Sequence, residues 1–164
     1  MKKANTMQRM EILAPAKINL FLDVLGKRPD GYHNIKSIVL PVSVYDRVVL
    51  ENQTDGIETV AAGDIQFPGI PWAISLCRPD DNLTTRAARL LKEATGHHGG
   101  VRITLEKSIP IGAGLGGGSS DAAAVLKGLN ALWKTGLSQD RLISLGKRLG
   151  CDIPALIHGG SLCM

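Results

Sequence analysis

The sequence contains few cysteines and few aromatic residues, and each shortage argues against a class of protein. Its three cysteines, Cys77, Cys151 and Cys163, are odd in number and widely spaced, so they fit neither a disulfide framework nor a zinc pattern. We expect reduced, mostly buried thiols. Aromatic residues make up 4% of the 164 residues, and no basic run alternates with them, which argues against stacking on single-stranded nucleic acid. The net charge of +4 suits an anionic small molecule or a nucleic acid equally well.

Long apolar runs are also missing. No window approaches the stretch of about 20 apolar residues that a membrane-spanning helix needs. The basic N-terminus is not followed by the apolar core of a secretory signal. We therefore expect a cytoplasmic protein with neither a membrane nor a nucleic-acid partner. Its length fits one domain over residues 11–164, after a loose N-terminus over residues 1–10.

Strands are predicted where apolar and polar residues alternate. In AKINLFLDVLGKR, Ile18, Leu20, Leu22 and Val24 share one face, and the opposite face begins with Lys17. IKSIVLPVSV, DRVVLE and VRITLEK are further strands, and a proline in the first of these indicates a sheet edge or a bulge. The final run, ALIHGGSLCM, is typical of a strand that either joins the sheet or continues into a longer protein.

Three helices are predicted from apolar stripes at helical spacing. The first is DDNLTTRAARLLKEATG, with Ala94 at the end of its stripe, and the third is SQDRLISLGKRLG. The second follows a glycine-rich loop, and a short turn or helix comes last. The expected capping and terminating residues are Asp81 or Asn82 with Gly96 for the first, Ser119 or Ser120 for the second, Ser138 with Gly150 for the third, and Asp152 for the last.

The glycine-rich loop is the most informative stretch of the chain. IPIGAGLGGGSSDAAAVL, residues 109–126, places five glycines between a predicted strand and a predicted helix. Glycines let the main chain approach a ligand closely, and the start of a helix offers unpaired N–H groups and a partial positive charge. The loop is therefore predicted to bind an anion, most often phosphate. The hydroxyls of Ser119 and Ser120 are further donors, and one of them could reach a metal ion on the phosphates.

Other known phosphate loops fit less well. The Walker loop requires a lysine, whereas Gly118 is followed by Ser119. Gly112, Gly114 and Gly117 match G-x-G-x-x-G, but the region about 20 residues further on begins a helix instead of ending a second parallel strand. The protein-kinase loop lies between two strands. A tight turn without a ligand is the structural alternative, although one or two glycines would suffice for it.

Four segments, in order along the chain, resemble one family. PIGAGLGGGSSDAA resembles the second motif of the galactokinase, homoserine kinase, mevalonate kinase and phosphomevalonate kinase (GHMP) superfamily. APAKINLFLDVLGKRPDGYH is similar to a first motif, and DDNLTTRAARLL and LGCDIPALIHGG to two further segments. The most similar branch phosphorylates a cytidine-diphosphate-linked sugar alcohol in non-mevalonate isoprenoid synthesis.

The resemblance carries expectations about fold and completeness. It implies an α+β GHMP kinase N-terminal domain, a ribosomal-protein-like two-layer fold with a mixed sheet and helices mainly on one face. It also implies an ATP-dependent small-molecule kinase whose C-terminal domain is absent from this chain, so that the fragment alone would be inactive.

The resemblance also assigns site residues. Asp152 would orient the substrate hydroxyl as the proposed general base, and Lys17 would stabilise negative charge on its oxygen. Asn19, Tyr32 and His33 would bind substrate, with the Tyr32 ring stacking on cytosine and His33 hydrogen-bonding its edge. The implied ATP-binding residues are Asn82, Lys107, Pro110, Ile111, Gly112, Ala113, Gly114, Leu115, Gly116, Gly117, Gly118, Ser119 and Ser120.

Without the resemblance, simpler interpretations stay open. Lys17 could lie on an exposed sheet face, Asp152 could cap a helical turn, and Lys107 could be a solvated strand end. Mg²⁺ would arrive with ATP, because no histidine spacing predicts a metal site on the protein. A homodimer is a further expectation. Two other functions remain: another GHMP small-alcohol kinase of the mevalonate or homoserine class, and a noncatalytic nucleotide- or RNA-binding module.

Overall fold

The structure, a computed structural model, describes residues 8–27, 31, 33–62, 82–159 and 162–163. The chain is an α+β protein that begins with three strands and contains three consecutive helices before its last strand. The elements are β1 (Arg9–Lys27), β2 (His33–Gln53), β3 (Ile57–Ala62), α1 (Leu83–Thr95), β4 (Gly100–Glu106), α2 (Gly117–Leu132), α3 (Gln139–Lys147), α4 (Ile153–His158) and β5 (Leu162–Cys163).

The strands form one mixed sheet in the order β1-β2-β4-β3, with β5 also paired to β2. β3 runs parallel to β4, whereas β1, β4 and β5 run antiparallel to β2. The strand predicted over ALIHGGSLCM is only partly confirmed: Leu162 and Cys163 do join this sheet, but residues 155–158 belong to helix α4. Arg9 and Met10, which we expected in a loose N-terminus, are instead the first residues of β1 and pair with Glu51 and Leu50.

The two strands predicted on either side of residue 45 are one continuous strand, β2. The prediction of two strands was wrong because the interruption is a β-bulge. Ala16 of β1 pairs with Val42, whereas the preceding Pro15 pairs with Tyr45, so β2 contains two extra residues here. Pro41 lies next to this bulge, opposite Lys17, as its sequence position indicated. A bulge bends the strand and redirects the side chains beside it.

The hydrophobic core lies between one face of the sheet and the helices α1 and α2. Alternating positions of β2 and β4 face the helices, since successive strand residues point to opposite faces. The fully buried contributors include Val48, Leu50, Val101, Ile103 and Leu105 from the strands and Ala87, Leu91, Val125, Leu126 and Leu129 from the helices. Each large side chain buried here contributes about 1.5–3 kcal/mol, which fixes α2 against the sheet.

Helix α4 is held by close packing on α3. A Cβ at Gly146 of α3 would lie 2.9 Å from both the Ile153 Cγ2 and the Ile157 Cδ1 atoms. Ile153 and Ile157 are buried, and the residue before α4 is Asp152. The packing of α4 therefore sets the position of the Asp152 side chain.

The first helix has the predicted ends. The Asn82 side chain accepts a hydrogen bond from the Thr84 N–H, and Gly96 ends α1 in the left-handed conformation, with φ 65°. Ala94 is exposed, so it does not belong to the buried stripe as expected.

The ends of the later helices differ from the prediction. α2 begins at Gly117 with Gly116 as its N-cap and no side-chain capping bond, so the predicted caps at Ser119 and Ser120 were wrong. Both serines lie inside the first turn, because a left-handed glycine can start the helix without a side-chain acceptor. Ser138 does cap α3, but this helix ends at Lys147 and not at Gly150.

The second half of β1, residues 20–27, is rich in apolar side chains and exposed. Leu20, Leu22 and Val24, which were predicted to share one face of the strand, are 62%, 54% and 58% exposed. The register shifts between Asn19 and Phe21, and in the part of the chain that the structure describes this half of β1 pairs with β2 alone. Among the described residues, nothing covers either face of positions 20–27, since every one of them is exposed.

The structure also bears on two expectations from composition: the burial of the cysteines and the lack of a membrane-spanning segment. Cys151 is a free, exposed thiol, contrary to the expectation of burial, because it lies on the bend before α4. Cys77 and the side chain of Cys163 lie outside the described residues. Across the described ranges, none of the helices has both the length and the apolar character needed to cross a bilayer.

Candidate active site

The loop between β4 and α2 forms an open main-chain cradle at the mouth of a helix. Gly112, Gly114 and Gly116 adopt left-handed φ values of 76°, 74° and 70°, which side-chain-bearing residues rarely adopt. The first helical hydrogen bond of α2 runs from the Ser120 N–H to the Gly116 carbonyl, at 2.9 Å. The preceding N–H groups, from 117 to 119, thus have no acceptor within the helix. Together with the helix dipole, they are the kind of donors that bind anions in other proteins.

Close packing requires two of the glycines whether or not a ligand binds. A Cβ at Gly116 would lie 2.7 Å from the Lys17 Cγ, and one at Gly117 would lie 3.0 Å from the Ile109 Cγ2. At Gly112 and Gly114, by contrast, a Cβ would meet no described atom within 4 Å. A tight turn therefore accounts for the glycines at the end of the loop, and the outer part of the loop stays open.

Lys17 and Asp152, the predicted catalytic pair, lie side by side next to this cradle. The Lys17 Nζ is 3.4 Å from the Asp152 Oδ2 and 3.4 Å from the Asn19 Oδ1. The Lys17 N–H also donates to the Leu115 carbonyl at 2.9 Å, which ties the loop to β1. Lys17 is only 7% exposed, so the exposed-face interpretation was wrong. Asp152 makes no side-chain capping bond, so the simple capping interpretation was wrong as well.

Lys107 lies beneath the loop and not at a solvated strand end. Its side chain is 4% exposed, and its Nζ contacts the carboxylates of Asp46 and Asp121, the latter at 2.6 Å. The Lys107 ammonium is already paired with both carboxylates. Direct contact between Lys107 and ATP stays a prediction. Asn82, the other residue expected near the adenosine part, uses its Oδ1 to accept from the Thr84 N–H and hydroxyl, at 2.9 and 2.7 Å.

Sequence reasoning missed both acidic partners of Lys107. Asp46 is fully buried, and its Oδ1 accepts from the N–H groups of Ser108 and Ile109 at 2.6 and 2.9 Å. Asp121 is 2% exposed in α2. One signal could have found it: Asp121 opens the otherwise apolar run DAAAVL, and a charge on a buried helix face needs a partner.

Burial raises the pKa of Asp121 to about 7. Removal of the carboxylate from water is the largest cause; the Lys107 charge opposes the rise, and Asp46 adds to it. The folded chain therefore keeps a proton on Asp121 up to about pH 7, whereas the unfolded chain releases it near the ordinary value of 3.8. Because the folded state binds more protons between these values, the contribution of Asp121 to the free energy of unfolding falls as the pH rises through this window.

Asp121→Asn should remove this pH dependence. We expect the free energy of unfolding of the variant, minus that of the wild type, to increase from about pH 5 to about pH 8, because only the wild type must then bury a carboxylate charge. Urea denaturation at several pH values measures the difference. Asp140→Asn, at an exposed position in the first turn of α3, is the matched control with a constant difference. A constant difference for Asp121→Asn as well would contradict the assignment.

The residues predicted to bind substrate are only partly described. Asn19 is exposed and contacts Lys17, as reported above. Tyr32 lies outside the described residues, and His33 is described only as the first backbone position of β2. Their roles in recognising a cytosine ring stay predictions.

The structure shows which side chains could accompany a phosphate ligand and its metal ion. Ser120 is 2% exposed, and within the described ranges its buried Oγ has no hydrogen-bond partner. In the same ranges, no group of three or more His, Cys, Asp or Glu side chains is arranged to hold a metal ion.

Comparison with known proteins relates the second half of the chain to one domain family. Residues 82–160 match the family model described as the GHMP kinases N terminal domain. This chain carries a GHMP kinase N-terminal domain. It is 53% identical over 148 residues to the 4-diphosphocytidyl-2-C-methyl-D-erythritol kinase of Symbiobacterium thermophilum, covering 90% of this chain and 49% of that protein.

Solved structures agree with this GHMP kinase fold. A crystal structure of 4-(cytidine 5'-diphospho)-2C-methyl-D-erythritol kinase has a TM-score of 0.74 and 44% identity, covering 94% of this chain and 51% of that one. Methanococcus jannaschii mevalonate kinase shares the fold alone, with a TM-score of 0.69 and 18% identity over 96% of this chain and 53% of its own. The chain spans about half the length of the curated relatives it matches.

Proposed function

We propose that this chain is the N-terminal, nucleotide-binding half of an ATP-dependent kinase. The proposed enzyme phosphorylates the 2-hydroxyl of 4-diphosphocytidyl-2-C-methyl-D-erythritol. The observation that carries this proposal is the Lys17–Asp152 pair, with its 3.4 Å ion pair beside the helix-mouth cradle. The high identity to kinases of that name supports the choice of substrate.

In this proposal the cradle binds the nucleotide, and the Lys17–Asp152 pair acts on the acceptor. The N–H groups of Gly117, Gly118 and Ser119 bind the phosphate oxygens, and the buried Ser120 hydroxyl, which has no hydrogen-bond partner within the described ranges, is a further donor. Mg²⁺, when bound with ATP, neutralises charge on the phosphates. Phosphoryl transfer depends mainly on positioning and charge neutralisation, so a rigid loop on a packed helix suits it.

Asp152 and Lys17 act on the acceptor hydroxyl. The Asp152 side chain is 26% exposed and the Lys17 side chain 8%, so a substrate reaches the carboxylate first and finds the ammonium beneath it. Asp152 accepts a hydrogen bond from the hydroxyl and orients its oxygen, and it takes the proton as the bond to phosphorus forms. Lys17 stabilises the negative charge that develops on that oxygen.

Phosphoryl transfer by a full-length protein that contains this chain tests the proposal. With ATP and Mg²⁺, we expect transfer to 4-diphosphocytidyl-2-C-methyl-D-erythritol, and little transfer to mevalonate or homoserine, which have no cytosine for Tyr32 and His33 to recognise. Preference for either small alcohol would support the other kinase class. Salt-dependent RNA binding with no transfer to any of the three acceptors would overturn the kinase assignment in favour of an RNA-binding module.

A further inference from the structure

We propose that Asp46 and Asp121 are positioning residues which act through Lys107 and hold both ends of the loop over residues 110–116 on β2. In this arrangement they set the spacing of the N–H groups that bind phosphate. The inference rests on the proposed nucleotide site and adds to it two residues that neither the sequence motifs nor the family likeness assigned.

The first end of the loop is fixed by Asp46. This residue belongs to β2, yet one of its carboxylate oxygens accepts hydrogen bonds from two successive N–H groups, those of Ser108 and Ile109. These groups lie where the chain leaves β4 and turns into the loop. Two charge-assisted bonds to one oxygen restrict both the position and the direction of the departing chain.

The second end is fixed by Asp121 through Lys107. Asp121 follows the first turn of α2, and its Oδ2 lies 2.6 Å from the Lys107 Nζ. Because the same ammonium contacts the other carboxylate oxygen of Asp46, Lys107 connects the start of α2 to β2. The approach is close: a Cβ at Gly117 would lie 3.4 Å from the Asp46 Oδ2.

The cluster of Asp46, Lys107 and Asp121 is buried, and its hydrogen bonds have fixed directions. The side chains of Asp46, Asp121 and Lys107 are 0%, 3% and 4% exposed. Apolar side chains of similar volume could fill such a space without the desolvation penalty of three ionisable groups. The ionic cluster adds fixed hydrogen-bond directions at both ends of a loop whose glycines would otherwise sample many conformations. Lys107 therefore acts on bound phosphate through the shape of the loop.

Binding measurements on the full-length protein separate positioning from simple stability. The probes are adenosine and a non-hydrolysable ATP analogue, measured by calorimetry. For Asp121→Ala, we expect about tenfold weaker binding of the analogue, with adenosine binding unchanged, because only the phosphate contacts depend on loop shape. Asp121→Asn keeps an oxygen acceptor for Lys107 and should restore analogue binding. Asp140→Ala, an exposed aspartate outside the site, is the control expected to match the wild type.

The outcomes distinguish this inference from the proposed function. If Asp121→Ala binds the analogue as the wild type does, or loses analogue and adenosine equally, the positioning role is wrong. If the wild type itself binds both probes equally, the proposed nucleotide site fails and the inference fails with it. Should Asp121→Ala not fold, the triple substitution Asp46→Asn, Lys107→Met and Asp121→Leu takes its place. The two apolar replacements disconnect the ends of the loop, and Asp46→Asn keeps a neutral acceptor for the Ser108 and Ile109 N–H groups.

Discussion

Lys17→Met is expected to lower kcat by at least about 10³-fold in the full-length protein, a loss of about 4 kcal/mol of transition-state stabilisation. Methionine keeps the apolar stem that packs beside Gly116 but removes the ammonium that lies 3.4 Å from the Asp152 carboxylate. Asp152 then loses its charge partner, and the hydroxyl oxygen loses its stabilising cation. Steady-state kinetics at saturating ATP and acceptor measure the loss. Lys17→Ala and Asp152→Ala should abolish turnover in the same way.

The fold of the Lys17→Met variant should be intact, because the backbone bond from residue 17 to the Leu115 carbonyl does not involve the side chain. Circular dichroism and the melting temperature check this. Lys127→Met, on an exposed position of α2, is the matched control and should retain kcat within about twofold. A folded Lys17→Met variant with kcat close to that of the wild type would remove Lys17 from the chemistry.

Gly116→Ala is expected to lower kcat/KM for ATP by about 100-fold. Two effects combine at this position. Residue 116 has φ 70°, which costs an alanine about 1–2 kcal/mol. The new Cβ would also lie 2.7 Å from the Lys17 Cγ and 3.0 Å from its Cε, so either the loop or the lysine must move. Both movements misalign the phosphate site and the catalytic cation.

Gly136→Ala separates these two effects. Gly136 has a similar φ of 69°, and a Cβ there would meet no described atom within 4 Å. Gly136→Ala should therefore lower the free energy of unfolding by about as much as the backbone effect does in Gly116→Ala. Its kcat/KM for ATP should stay within about twofold of the wild type. Urea denaturation and steady-state kinetics on both variants test this. If Gly116→Ala behaves like Gly136→Ala in both measurements, close packing against Lys17 does not matter for the reaction.

Local sequence signals were sufficient for elements that depend on local interactions. The alternation in VRITLEK predicted β4, and the Asn82 and Gly96 signals predicted both ends of α1. In these cases, side-chain periodicity and a single capping residue decide the conformation within a few neighbours. The pairing of Lys17 with Asp152 was different, because nothing local connects β1 to α4. Only the family resemblance brought the two residues together.

Features that depend on tertiary packing could not be predicted from the chain. Ser119 and Ser120 carry a strong capping signal, yet the packing of β1 and Ile109 against residues 116 and 117 starts α2 before them. Asp46 was predicted only as the first residue of a second strand, although it is a buried acceptor within one continuous strand. Its partners lie 61 and more residues further along the sequence, so no local pattern could reveal its role.

The bulge in β2 has a consequence for how this domain tolerates changes in length. Pro41, opposite Lys17, and Asp46, at the base of the glycine loop, flank the two extra residues. One irregularity thus lies between the position opposite Lys17 and the residue that holds the start of the glycine loop. Insertion or deletion of one residue between positions 41 and 46 would keep every side chain of the site. It would still move these side chains apart, because a register shift of one residue moves the side chains of a strand to the opposite face. The number of residues between positions 41 and 46 is therefore as important to the candidate site as the side chains that this segment aligns.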